Sequence, residues 1–144
     1  MHLHNIVNHL PILFPFAGII ILMLGIYFKS ELLKRVGYFF FVLSAVAAFI
    51  SMNTGENAEE AIDGVYPMST HHWVHEHEEK AELFSLVMYG LGLISIIAIW
   101  ASWAKNKIQQ YLLWAVITFL IATIYLGYET GKSGGQVIHF EFRE

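Results

Sequence analysis

The chain contains no cysteine. Disulfides, thiolate metal sites and thiol catalysis are therefore excluded. Charge is scarce too: 14% of residues are Asp, Glu, Lys or Arg, against about 25% in soluble domains. Lys and Arg together number eight against twelve acids, for a formal net charge of −4. Nucleic-acid binding needs clustered Lys and Arg to neutralise phosphates, so this balance argues against it. The start, Met1-His2-Leu3-His4-Asn5, has no basic region and no small-residue cleavage site follows, so the first apolar segment reads as a retained helix rather than a signal peptide. Catalytic triads, phosphate loops and nucleotide fingerprints are all missing, which leaves hydrolase and kinase readings without a motif and any catalytic residue unknown.

What the sequence has is apolar length. Hydrophobic residues make up 56% of 144 residues, enough chain for one domain spanning 1–144. Four apolar segments stand out at about 10–28, 36–53, 83–104 and 111–128. Each approaches the roughly 20 residues that cross a bilayer core. Ile12–Phe28 and Leu83–Ala104 show almost none of the polar striping expected of a soluble bundle. The expected fold is all-α, a four-transmembrane-helix bundle in contact with the lipid bilayer.

Orientation follows from the short loops. Lys29, Lys34 and Arg35 lie in the first, Lys105 and Lys107 in the third. The positive-inside rule puts these in the cytoplasm and both termini outside, as in a multi-pass protein of a cytoplasmic membrane. Trp100, Trp103, Tyr111 and Trp114 flank the second cytoplasmic loop, at a depth that aromatic side chains favour.

Local signals refine the elements. Pro11 suits the first turn of a helix, and Pro15, one turn further in, should loosen or kink that entrance. Asn53-Thr54-Gly55 reads as the end of the second helix, with Thr54 or Asn57 capping a new one. Asp63-Gly64-Val65-Tyr66-Pro67 reads as a turn. Ser69 or Thr70 can cap a third helix that runs through His71–Glu82 into its span, so that helix three extends on the extracytoplasmic side. Beyond Gly131, Ser133-Gly134-Gly135 reads as flexible and 137–142 as a short strand or extended tail.

This topology gathers all eight histidines on one side of the membrane, with eleven of the twelve acids; Glu31 is the exception. On helix three, His71, His75, Glu78 and Glu82 share a stripe about 60° wide, and His at i with Glu at i+3 can offer two metal ligands. His77 belongs to another stripe, with Trp73, Ala81, Phe84 and Met88, that could face the interior. Spacing alone leaves open which histidine points in. Solvated charge on a helix extension accounts for any one of these side chains equally well. His4 and His9 stand at the mouth of helix one. Glu56 and Glu60 share a face if their stretch is helical. Glu129 sits at the end of helix four, where a carboxylate is costly unless paired.

These residues resemble a bacterial family of four-helix membrane proteins known as domain of unknown function 2231. The pattern His-x4-His-x-Pro at the mouth of its first helix is matched by His4, His9 and Pro11, with Asn5 in place of a usual Pro and Leu10 in place of a usual Phe. Gly55-Glu56 fits its Gly-acidic pair after helix two. His77, or less closely His75, fits a histidine early in helix three. Gly134-Gly135 and Val137 fit a Gly-Gly pair near the end. The resemblance implies a four-helix fold in the bacterial inner membrane with His and acidic residues on one face. Some relatives are joined to Rieske-type iron–sulfur domains, which implies redox work.

Three functions remain open. The first is a transition-metal centre (Zn, Fe or Cu) at the extracytoplasmic face, with ligands drawn from His4, His9, Glu56, His71, His75, His77, Glu78 and Glu82. The second is a b-type haem between helices one and three, ligated by His9 and His77 or His75. Haem propionates favour cations, and this face is acid-rich. The third is a cofactor-free accessory or proton-sensing subunit. A redox protein or a second copy of the chain would be the partner. Ser85, Gly90 and Gly92 in helix three, with Gly18 and Gly25 in helix one, allow close packing within or between chains.

Overall fold

A computed structural model describes the backbone of residues 9–60 and 71–138 and, within these, every side chain except those of 54–60, 71–73 and 136–138. The described residues form four helices: α1 (Leu10–Tyr27), α2 (Glu31–Glu60), α3 (His71–Trp103) and α4 (Gln109–Ile138). All four are long and apolar enough to cross a membrane, and most of each apolar window is left uncovered by the rest of the chain. Packing follows chain order. α1 packs on α2, α2 on α3 and α3 on α4, while α1 and α4 make no substantial contact. The bundle is thus open between its first and last helices.

Specific contacts fix an up-down-up-down course. Gly18 abuts Phe41 and Gly37, and Gly25 abuts Lys34, so α1 and α2 run antiparallel. Arg35 meets Ser102, and Phe49 meets Tyr89, which sets α2 against α3. Gly90 abuts Phe119 and Gly127 abuts Phe84, which sets α3 against α4. The glycines that the sequence offered for close approach are used within the chain. A Cβ on Gly25 would lie 2.7 Å from the backbone nitrogen of Lys34, and one on Gly92 would lie 2.5 Å from the Cβ of Ala45. The core lies along α2 and α3, where Phe41, Met88 and Leu91 are fully buried.

Two helix boundaries differ from expectation. α2 does not end at Asn53 but continues to Glu60, so Thr54 and Asn57 are not caps of a separate helix. α4 runs through Ser133-Gly134-Gly135 to Ile138, where a flexible break and an extended strand were expected. In both places helical neighbours outweigh glycine's local preference, a penalty of only about 1 kcal/mol per residue. At Gly134 the close approach of the His77 ring supplies a packing reason. Residues 139–142 of the expected strand, and the 63–67 turn, lie outside the described residues. α1 stays continuous across Pro15, with Pro11 in its first turn as expected. α3 begins at His71.

The two short connections are built alike. After α1, Lys29 N–H donates to Ile26 O and Ser30 N–H to Gly25 O. After α3, Lys105 N–H donates to Ser102 O and Asn106 N–H to Ala101 O. These are Schellman closures, and both place a lysine at φ 51° where glycine is usual. Ser30 Oγ and Asn106 Oδ1 then accept from Leu33 N–H and Ile108 N–H as the next helices begin.

Candidate functional site

The histidine-rich end is formed by the start of α3 and the last turns of α4. The 3.6-residue period that buries Phe84 and Met88 also turns His77 inward, two turns beyond Phe84 and three beyond Met88 on the same stripe. His77 Nδ1 lies 3.0 Å from Ser133 Oγ. The Ser133 hydroxyl hydrogen is committed to Thr130 O at 2.9 Å. With the hydroxyl so engaged, Ser133 accepts from the Nδ1–H tautomer of His77. A neutral ring in this tautomer keeps its lone pair on Nε2. The ring also rests against Gly134, where a Cβ would sit 3.1 Å from Cε1.

A second tie between the same helices lies beside it. Thr130 Oγ1 donates to Lys80 O at 3.2 Å. Lys80 Nζ is paired with Glu76 Oε1 at 2.8 Å and with Glu129 Oε2 at 3.7 Å. Glu129 thus has the partner that its depth calls for. Lys80, three residues from His77, has its charge balanced by carboxylates on both helices.

His75 is on the opposite side. Its side chain is 74% exposed and lies 3.9 Å from Glu78 and 3.4 Å from Glu79. The His75, Glu78, Glu82 stripe is therefore a solvated edge near its outer end, and Glu82 is exposed. Of the two α3 histidines whose side chains are described, His77 is the one that faces α4.

His9 is exposed at the start of α1, where its carbonyl accepts from Ile12 and Leu13 N–H. The structure does not bring it to His77. The α1/α2 register (Gly25 with Lys34, Gly18 with Phe41) puts His9 level with the α2 turn around Phe49, and that turn meets Tyr89 of α3. His77 stands about three turns, roughly 18 Å, further along α3. α1 is simply the shortest of the four helices, at 18 residues. The α2/α3 register has the opposite consequence for the acids. Continued two and three turns past Phe49, it carries the backbone of Glu56 and Glu60 level with the His77–Glu82 stretch. The side chains of Glu56 and His71, and all of His4, lie outside the described residues. Among the described residues no group of three His, Asp or Glu side chains is placed to hold a metal ion. The chain matches no family model, no curated protein and no solved structure.

Sequence reasoning did not single out Ser133 or Thr130. Ser133 was read as part of a flexible link. A signal was available: on a helix continued past Gly131, Thr130 and Ser133 fall three apart on one face.

Proposed function

We propose that this chain is a small multi-pass membrane protein that holds a transition-metal ion at its histidine-rich end, with His77 Nε2 as the inward ligand. One observation carries the reading: His77 Nδ1 lies 3.0 Å from the Ser133 hydroxyl, and in the Nδ1–H tautomer this contact fixes the ring and leaves Nε2 as the donor. Metal-binding histidines are commonly oriented this way by a hydrogen bond to the other nitrogen. The α2/α3 register supports carboxylate ligation from the Glu56–Glu60 turn, and His4 and His71 are the further imidazole ligands of this reading. A mixed imidazole and carboxylate set suits Zn, Fe or Cu. A metal with an open position could polarise water or change redox state. The haem alternative draws on His9 with His77 or His75, and the register, which sets His9 about three turns from His77, favours it less. His75 and His9 are peripheral in this reading.

A second reading rests on its own observation. The pairings His77–Ser133, Thr130–Lys80 and Lys80–Glu129 together lock α3 to α4, which a cofactor-free accessory subunit would use for stability alone. One experiment separates the two. Protein purified in mild detergent is assayed for Zn, Fe and Cu, and its visible spectrum is recorded. Stoichiometric metal that is lost in His77→Ala and retained in His75→Ala supports the metal centre. A metal-free protein that takes up none of these ions on titration refutes it, and a Soret band assigns the site to haem.

A further inference from the structure

The opposite end of the molecule has a different electrostatic character. It carries Lys29, Lys34, Arg35, Lys105 and Lys107 against the single carboxylate of Glu31. That carboxylate is fully engaged. Its Oε1 takes Lys34 Nζ at 2.8 Å and its Oε2 accepts from Ser102 Oγ at 3.1 Å. Arg35 is engaged too. Its Nε donates to Ser102 Oγ at 2.9 Å, and its guanidinium lies 4.3 Å from the centre of the Trp103 ring. This Glu31–Ser102–Arg35 link joins the first turn to the third and so brings the two left-handed lysines, Lys29 and Lys105, to one end. Lys29, Lys105 and Lys107 are exposed and make no ion pair among the described residues. Around them Tyr27, Phe28, Trp100, Trp103, Tyr111 and Trp114 are exposed large aromatics.

We propose that this end is a docking rim for anionic phospholipid headgroups, in which Lys29, Lys105 and Lys107 meet lipid phosphates inside an aromatic collar. Charge complementarity selects the occupant. Among the described residues these three ammonium groups have no counterion, whereas Lys80 at the other end has two. Indole and phenol rings favour headgroup depth, so the collar sets the lysines at the level of phosphates. A zwitterionic headgroup brings its own cation and gains less from the lysines than an anionic one does. The proposal rests on the reading that the helices cross a bilayer.

The test uses the full chain reconstituted in phosphatidylcholine vesicles containing a trace of dansyl-labelled phosphatidylglycerol or dansyl-labelled phosphatidylcholine. Energy transfer from tryptophan, measured in a Trp73→Phe background so that Trp100, Trp103 and Trp114 are the donors, reports which lipid occupies the collar. Each basic residue near a surface strengthens anionic association by roughly fivefold at best. Dilution among bulk lipid lowers this, and a preference of about threefold for phosphatidylglycerol at low salt is expected, shrinking as salt screens it. Lys29→Gln, Lys105→Gln and Lys107→Gln combined should bring the two lipids to parity with helical content unchanged, while Lys132→Gln at the far end should leave the preference intact. Equal transfer from both lipids in the unaltered chain, or a preference that survives the triple change, overturns the rim. Stronger suppression by inorganic phosphate than by chloride at equal ionic strength assigns the site to a soluble phosphate compound and also overturns it. Carbonate-resistant flotation with the vesicles is read in parallel. An inserted protein without preference refutes the rim alone, whereas a protein that washes off refutes the membrane reading beneath it.

Discussion

Single residues carry the two features that sequence patterns conveyed least. Position 29 is one. An L-residue in the left-handed region costs roughly 1–2 kcal/mol, yet Lys29 and Lys105 both stand there at φ 51°. Glycine would remove that strain, at the cost of greater freedom in the unfolded chain. Lys29→Gly should therefore stabilise the fold by about 0.5–1 kcal/mol, seen as a higher midpoint of thermal unfolding in detergent. An unchanged or lower midpoint would mean that the lysine's charge at the helix end outweighs its strain. The retention of lysine at a glycine position in both turns accords with a need for cations there. His77 is the other feature. Its stripe was legible from spacing, because Phe84 and Met88 mark the buried side of α3. Its tautomer was not legible, because that depends on Ser133, fifty-six residues away. Replacing Ser133 with Ala should cost about 1 kcal/mol and release the ring, so that metal affinity falls less than in His77→Ala.

At the scale of helices, existence and type were legible and extent was not. Uninterrupted apolar runs announced all four helices, and α1 starts at Leu10 with Pro11 in its first turn; the expected caps of α3, Ser69 or Thr70, lie outside the described residues. The ends of α2 and α4 were missed because Gly55, Gly134 and Gly135 were read as breaks. Helix propensity is a weak local preference, and packing overrides it. The same glycines show how far meaning depends on surroundings. Gly25 faces the α2 backbone at 2.7 Å, and backbone cannot step aside, whereas an added Cβ at Gly131 meets nothing within 4 Å. Gly25→Leu should force α1 from α2 and lower stability by about 1–3 kcal/mol. Gly131→Ala should raise it by about 1 kcal/mol. Both are read from unfolding in detergent by circular dichroism. A neutral Gly25→Leu would mean that α1 is held by lipid rather than by this contact.

The described residues form two helical hairpins, α1–α2 and α3–α4, with matching Schellman turns and joined along α2 and α3. Sequence charge predicted that both turns share one end, and the antiparallel contacts confirm it: Arg35 of the first hairpin reaches Ser102 of the second. The sequence did not reveal that α1 is too short to bring His9 level with His77, because apolar length alone does not set register against a neighbour. What remains a proposal at this scale is that the helices cross a bilayer and in which direction they do so. The lysine-rich turns should face the cytoplasm. The absence of cysteine makes the test clean, since any introduced thiol is the only one in the chain. Lys107→Cys and Lys132→Cys both alter exposed side chains at opposite ends. In intact cells a membrane-impermeant maleimide should label the chain at position 132 and leave it unlabelled at 107 until the membrane is opened. Labelling of both in intact cells would refute a spanning arrangement, and the reverse pattern would keep the span but invert it, placing the His77 end in the cytoplasm and its metal within reach of cytoplasmic chelators.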